Sequence, residues 1–304
     1  MKAFVFPGQG SQFVGMGKAL YEKHPVAKEH FEKANEILGF RITDIMFDGT
    51  DEELKQTKVT QPAVFLHSVI SAMCLGADFC PDMVAGHSLG ELSALVAAGA
   101  ISFEDGLRLV AARAMAMQQA CEAAPGTMAA IIALPDEQVE AICAEVSTPD
   151  AVVVAANYNC PGQLVISGHK EAIDAACAKL KEAGAKRALV LPVGGAFHSP
   201  LMQFAQAGLA EAIAKTKFND VEKPVIANVI AEPVTKGSEI ADLLVRQLVS
   251  PVRWNDCMNK AMSLGVTQGV EVGSGKVLMG LMRKISRDVK VTPVETIEAF
   301  EALK

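Results

Sequence analysis

Aromatic side chains are scarce in this chain: one tryptophan, two tyrosines and thirteen phenylalanines make up 5% of 304 residues. That argues against an aromatic-lined binding protein, while plentiful alanine and glycine suit closely packed helices on a sheet. Positive charge is not in excess either. With 28 Lys and Arg against 35 Asp and Glu, the net charge is −7 and the pI is near 5.5. No domain-wide basic field exists to attract phosphates, so nucleic acid is not expected as a partner. The Cys-x-x-Cys pair is absent. Seven cysteines (Cys74, Cys80, Cys121, Cys143, Cys160, Cys177 and Cys257) are scattered and odd in number. They read as small buried hydrophobes in a reducing compartment, with no metal ligand set among them. No apolar stretch is expected to reach the length that spans a bilayer. Residues 1–6 meet Pro7-Gly8 too early for a signal-peptide core. The expectation is therefore a cytoplasmic protein without a membrane partner. Disorder is excluded by 50% hydrophobic and 21% charged residues.

What is there alternates between strand and helix patterns. Ala3–Phe6 reads as a buried strand ended by Pro7-Gly8, and helical spacing follows through Phe31 and Leu38, then over residues 63–74. A strand at residues 81–85 leads into a small-residue helix, and a long helix over 103–121 ends before Pro125-Gly126. Residues 127–193 have their own rhythm: strand 128–134, helix 136–146, strand 152–157, a turn at Cys160-Pro161-Gly162, strand 163–167, helix 171–183 and strand 188–193. That βαββαβ order is the split ferredoxin-like unit. Alternation then resumes with helix 197–214, strand 225–230, helix 240–249 and strand 269–272. The expected architecture is a discontinuous α/β-hydrolase-like core with a parallel sheet, residues 1–125 and 195–304. A ferredoxin-like subdomain, 126–194, is inserted in it.

Gly86-His87-Ser88-Leu89-Gly90 sits where that core would place a nucleophile. A serine hydroxyl is a poor nucleophile unless held exposed beside a base, and a sharp strand-to-helix turn does this with little room for side chains. Gly86 and Gly90 let backbone approach, and the new helix aims its free N–H groups at a developing oxyanion. Of six histidines, His24, His30, His67 and His169 fall in helical or surface contexts. His87 should point away from Ser88 across the turn. His198 stands apart, in a glycine-rich loop where the chain leaves the inserted unit, the expected place for a cleft-facing base. A triad carboxylate is missing, because the acids between residues 88 and 198 lie on helices or in the inserted unit. A backbone carbonyl or an amide side chain is left to fix the tautomer of His198. Two glycine-rich stretches mislead. Gly8-Gln9-Gly10-Ser11-Gln12-Phe13 has phenylalanine where a dinucleotide fingerprint needs its third glycine. Gly273-Ser274-Gly275-Lys276 runs into Val277 and lacks the earlier P-loop glycine. The first loop suits a different task, offering a second oxyanion N–H after a strand.

Taken together, residues 8–12, Thr60-Gln61-Pro62-Ala63, residues 86–91, Arg113, Gly195-Ala196-Phe197-His198-Ser199 and Ser250-Pro251-Val252-Arg253-Trp254 resemble the malonyl-CoA:acyl carrier protein transacylases of bacterial fatty acid synthesis. The matches run in family order from residue 4 to about residue 281. Gly194, and Ser274 where proline is expected, are loop departures. The resemblance implies ping-pong transfer through a malonyl ester of Ser88, with His198 as base and no cofactor beyond the substrates malonyl-CoA and holo-acyl carrier protein. It implies oxyanion donors at the N–H groups of Gln9 and Leu89, and the main-chain carbonyl of Gln247 as acceptor for the histidine. It makes Arg113 the clamp for the malonyl carboxylate, with Gln61, Met117, Asn157 and Phe197 lining the substrate site. Leu89 and the 195–198 stretch resemble malonyl-selective rather than methylmalonyl-selective members. A monomer is expected.

An acidic carrier would need a basic rim, for which Lys181, Lys186 and Arg187, or Arg283, Lys284 and Arg287, are the candidates. Two rival readings stay open: a thioesterase or esterase with the same elbow, and a carrier-binding module without catalysis. The missing acid and Arg113 argue against the first, the intact Ser88 and His198 against the second.

Overall fold

The computed structural model describes residues 1–296, 298, 299 and 302. Its described strands are β1 (Lys2–Phe6), β2 (Met83–Gly86), β3 (Gly126–Ile132), β4 (Val153–Cys160), β5 (Gln163–His169), β6 (Arg187–Val190), β7 (Val225–Ile226), β8 (Pro233–Val234), β9 (Gln268–Val272) and β10 (Lys290–Val294). They form two sheets. The larger has the order β10-β9-β1-β2-β7-β8, with every pairing parallel except that of β7 with β8. The smaller, β4-β5-β3-β6, is antiparallel throughout.

Side-chain alternation explains how the large sheet is covered on both faces. Along β1, Phe4 and Phe6 enter one core with Phe65, Leu66, Leu92 and Leu107, while Ala3 and Val5 enter a second core with Trp254, Leu278 and Leu281. The helix Thr57–Leu75 runs through the first core. By length and composition, residues 57–78 could cross a bilayer, which corrects the expectation that no apolar stretch has that length. Its most apolar stretch is 83% buried inside the protein, as a central core helix should be. In the small sheet, one face carries Ala129, Ile131, Leu164 and Ile166 against Val139 and Cys143 of the helix Asp136–Val146 and Ile173 and Leu180 of the helix Lys170–Glu182. Strand order and connectivity there are those of a split βαββαβ unit. A short parallel bridge between Asn157 and Val252 ties this unit to the larger sheet's side of the molecule.

Three expected elements are shorter than their sequence patterns. The helix drawn over 197–214 begins only at Gln203, after a 3-10 turn at Pro200–Met202. His198 has φ +57°, and the Ser199 hydroxyl accepts from the Leu201 N–H, so residues 195–199 form a loop. The strand drawn over 225–230 stops at Ile226, because Ala227 donates to the Glu232 carbonyl and Ala231 turns the chain at φ +54°. Strand β6 ends at Val190 rather than Val193, two residues before Pro192, which has no N–H to give a ladder.

Candidate active site

Ser88 sits between β2 and the helix Leu89–Ala97 with φ +53° and ψ −107°, a conformation rarely held by a residue with a side chain. The glycines around it are required by close approach. A Cβ on Gly86 would lie 1.9 Å from the Gly90 carbonyl, and one on Gly90 would lie 2.1 Å from the Phe6 oxygen. Gly8 is held as tightly, its notional Cβ 2.4 Å from the His87 oxygen. The first glycine-rich loop thus meets the elbow as structure, and the second packs on the first, Ser11 and Ser274 joining them through a 3.0 Å hydroxyl contact.

The Ser88 Oγ is 2.7 Å from Nε2 of His198. On the other side of the ring, Nδ1 is 3.0 Å from the Gln247 carbonyl and 3.2 Å from the Ser250 carbonyl. Carbonyl oxygens only accept, so Nδ1 carries the proton and Nε2 is left as the acceptor for the serine. Burial, and then the neighbouring Arg113 cation, push the His198 pKa down to about 3. The ring is therefore neutral and able to take a proton across the physiological range. His87 faces away, its Nε2 2.8 Å from Asn159 Oδ1 and its ring against Trp254.

Arg113 is 2% exposed on the helix Phe103–Ala123. Its Nη1 donates to Gln61 Oε1 at 2.7 Å, and its Nη2 donates to Gln247 Oε1 at 3.0 Å and to the serine oxygen at 3.2 Å. No carboxylate forms an ion pair with it among the described residues. Burial lowers its pKa to about 10, which leaves it a cation at neutral pH. Gln61 also approaches the Met117 sulfur at 3.2 Å.

A cavity of about 220 Å³ opens in front of these groups, between the large-sheet side and the small sheet. Gln9, Gln61, Ser88, Leu89, Arg113, Met117, Asn157, Phe197 and His198 all border it. Gln247 stands behind it, reaching the site through its carbonyl and its amide. The N–H groups of Gln9 and Leu89 donate to no other group among the described residues, and both residues face the cavity. Two buried groups complete the elbow without having been singled out from the sequence. Asn228 accepts from the Ser88 N–H at 2.8 Å and donates to the Gly86 carbonyl at 2.7 Å. The serine's own N–H is thereby occupied and closed to an oxyanion. Glu91 accepts from the Asn228 N–H at 2.9 Å and from Gln247 Nε2 at 3.1 Å. Both left a faint signal: Glu91 is the lone charged residue of its helix, and Asn228 interrupts an apolar run.

Of the basic candidates, Arg283 and Lys284 are exposed on the helix Val277–Ile285, whose Val277, Leu278 and Leu281 line the cavity. Lys284 Nζ donates to Gln163 Oε1 at 3.0 Å, at the cavity wall. Arg187 lies at the start of β6, away from the Leu191 and Val193 end that borders the cavity.

Comparison with known proteins bears on the same fold and site. The acyl transferase domain family matches residues 3–298. The chain is 45% identical over 307 aligned residues to the malonyl CoA-acyl carrier protein transacylase of Bacillus subtilis, covering 99% of this chain and 97% of that protein. It is similar to a solved acyl carrier protein S-malonyltransferase from Vibrio cholerae, with a TM-score of 0.95 and 44% identity over 100% of this chain and 99% of that one. A further structure, of a type II PKS acyl-carrier protein in complex with its malonyl-transacylase, matches with a TM-score of 0.95 and 38% identity over 99% of this chain and 98% of that one.

Proposed function

The chain belongs to the acyl transferase domain family, among its malonyl CoA-acyl carrier protein transacylases, and from that premise we propose how its own residues move a malonyl group from malonyl-CoA to the phosphopantetheine thiol of an acyl carrier protein in fatty acid synthesis. One observation carries the reading. A buried cation, Arg113, is fixed with one N–H on the oxygen of a serine that is itself paired to a neutral histidine.

In the first half-reaction the Ser88 oxygen attacks the thioester carbonyl while His198 Nε2 takes its proton. The carbonyl oxygen, now an anion, is received by the N–H groups of Gln9 and Leu89. Collapse breaks the carbon–sulfur bond, and the proton on His198 goes to the coenzyme A sulfur. In the second half-reaction the carrier's thiol attacks the malonyl ester, His198 takes the thiol proton, and the carbon–oxygen bond breaks with that proton returned to Ser88. Every step is assigned to this chain's own groups, without a cofactor. Arg113 would leave its present neutral partners to pair with the substrate's free carboxylate, and Gln61, Met117, Asn157 and Phe197 would surround the acyl group.

Arg283 and Lys284 are the better-placed basic residues for an acidic carrier, since their helix forms one lip of the cavity. Charge reversal at both should raise KM for the carrier more than for malonyl-CoA, and added salt should act in the same direction. Equal effects on both substrates would remove this surface from the reading. The protein is taken to act as a cytoplasmic monomer.

The test of the whole reading is to weigh the protein after mixing with malonyl-CoA, then add either water or holo carrier protein. A malonyl adduct on Ser88 that persists in water and is cleared by the carrier is expected. Rapid loss to water would make the protein a hydrolase, and no adduct would make it a binding module.

A further inference from the structure

Glu91 does not border the cavity, yet it bonds to two residues that each hold part of the active site. It is buried, 3% exposed, in the first turn of the helix that follows the nucleophile. Its Oε2 accepts from two directions, the Asn228 N–H at 2.9 Å and the Gln247 amide nitrogen at 3.1 Å. Each of those partners holds a different part of the active site. Asn228 clasps the strained elbow through the Ser88 N–H and the Gly86 carbonyl. Gln247 holds His198 through its main-chain carbonyl and Arg113 through its side-chain oxygen. Its amide nitrogen reaches the Ser88 carbonyl as well, at 3.2 Å.

We propose that Glu91 is a positioning residue for the transfer reaction, its acceptor oxygen locking Gln247 and Asn228 so that base, nucleophile and carboxylate clamp keep one mutual geometry. This rests on the malonyl-transfer reading for the clamp, and on geometry alone for the lock. The chemistry of Gln247 explains why a fixed acceptor serves here. An amide can turn end for end, exchanging its oxygen and nitrogen at little cost. The Arg113 guanidinium only donates, and the Glu91 oxygen that faces the donor-only Asn228 N–H accepts, so between them a single orientation of the amide satisfies both. Turned the other way, Gln247 would present N–H to the cation and oxygen to the carboxylate. Glu91 thereby fixes the sense of a side chain whose backbone orients the histidine.

The experiment compares Glu91→Gln, Glu91→Asp and Glu91→Ala in the full-length protein. Two rates are read: malonylation of Ser88 by malonyl-CoA, and labelling of Ser88 by a neutral fluorophosphonate, which needs the serine–histidine pair but not the clamp. Glutamine keeps an acceptor oxygen at the same reach and is expected to stay within about fivefold of wild type in both. Aspartate withdraws the oxygen by one methylene, and misplacement of about 1 Å in a catalytic constellation costs up to about 100-fold, so both rates should fall by at least about tenfold. Alanine should fall as far as aspartate, and if it does not fold, aspartate and glutamine carry the comparison. Wild-type rates in Glu91→Asp, or a Glu91→Gln variant as slow as Glu91→Asp, would overturn the proposal. Failure of the malonyl-transfer reading is separately visible, because wild type would then react with the fluorophosphonate and not with malonyl-CoA.

Discussion

Replacing Arg113 by alanine tests the proposed clamp, the element that would separate a carboxylated acyl group from a plain one. The guanidinium is buried and satisfied only by neutral acceptors, at 2.7 Å on Gln61, 3.0 Å on Gln247 and 3.2 Å on Ser88. A malonyl carboxylate exchanging with those amides would gain a charge-assisted, two-pronged pair, which is worth on the order of 1.5–3 kcal/mol over a neutral contact. At about 1.4 kcal/mol per factor of ten, that corresponds to roughly a 10- to 150-fold preference over acetyl. Arg113→Ala should lose this factor from kcat/KM for malonyl-CoA while keeping acyl transfer from acetyl-CoA.

Two further consequences sharpen the test. Arg113 is one of the causes that lower the pKa of His198, so its removal makes the base stronger. Acetyl transfer should therefore be undiminished or faster. Burial also disfavours the guanidinium itself, bringing its pKa down to about 10. Its removal nonetheless leaves a cavity and the Gln61 and Gln247 oxygens without their donor, so the variant should melt several degrees below wild type, and the ratio is read at a temperature where it is folded. Paired assays of malonyl and acetyl loading by mass, with a melting curve as control, decide the matter. An unchanged malonyl-to-acetyl ratio in a folded Arg113→Ala protein would refute the clamp.

Other expectations are narrower. Burial raises the carboxyl of Glu91 to about 7. Against an unfolded value near 4.5 the folded state then binds more protons between those two pH values, so stability is lost as pH rises through that window, by up to about 3 kcal/mol. Glu91→Gln removes this slope, and its melting temperature relative to wild type should climb from pH 5 to pH 8; a flat difference would contradict the burial argument. With His198 neutral down to about 3, malonyl loading should show no acid limb at the usual histidine value near 6.5. A limb near 6.5 that disappears in Glu91→Gln belongs to the carboxyl, and one that survives there contradicts the histidine assignment. Gly90→Ala forces a Cβ to 2.1 Å from the Phe6 oxygen, backbone against backbone, and should cost more than about 3 kcal/mol or prevent folding. Gly208→Ala meets only Ala116 at 3.7 Å on an exposed helix face and should instead stabilise by up to about 1 kcal/mol in urea titrations. Similar behaviour of the two alanines would show that the close approach read at the elbow is not real.

How far such features could be read in advance depended on whether their cause is local. The elbow was legible because its motif is local, Gly86 having to clear Gly90 within five residues of Ser88, even though Gly90 itself answers to Phe6 on the neighbouring strand. The small antiparallel unit was legible because short strands and helices alternate over turns marked by Pro135, Pro161-Gly162 and Gly184. Elements shaped by distant partners were not. The apolar run from Val225 reads as one strand, yet Asn228 is taken out of the ladder by Ser88, 140 residues away. His198 stood out by its loop, whereas the orienting carbonyl at Gln247 came only from family resemblance, since any backbone has a carbonyl to offer. Glu91 meets its partners across 137 and 156 residues. Nothing in its neighbours reveals which amide it fixes. The early ending of the 225–230 strand and the late start of the helix at Gln203 have one origin. Both segments surrender regular structure where a side chain serves Ser88, Asn228 at its N–H and His198 at its hydroxyl.

The absence of a triad carboxylate then acquires a chemical meaning. An acid on Nδ1 would stabilise the imidazolium formed whenever His198 takes a proton. Two neutral carbonyls stabilise it less, while burial and the Arg113 cation oppose it. Such a base is weak, and its weakness falls unequally on the two nucleophiles that could attack the malonyl ester. A thiol gives up its proton near a pKa of about 8.5, whereas water holds its proton far more tightly. Proton transfer from the attacking group is therefore far less demanding for the carrier's thiol than for water. Under the proposed clamp, a malonyl carboxylate would partly cancel the Arg113 charge and raise the basicity of His198 only while the correct acyl group is in place. On the proposed reading the residue that would select the substrate also tunes the base that would turn it over, and the ester is expected to resist water because the same base activates water poorly.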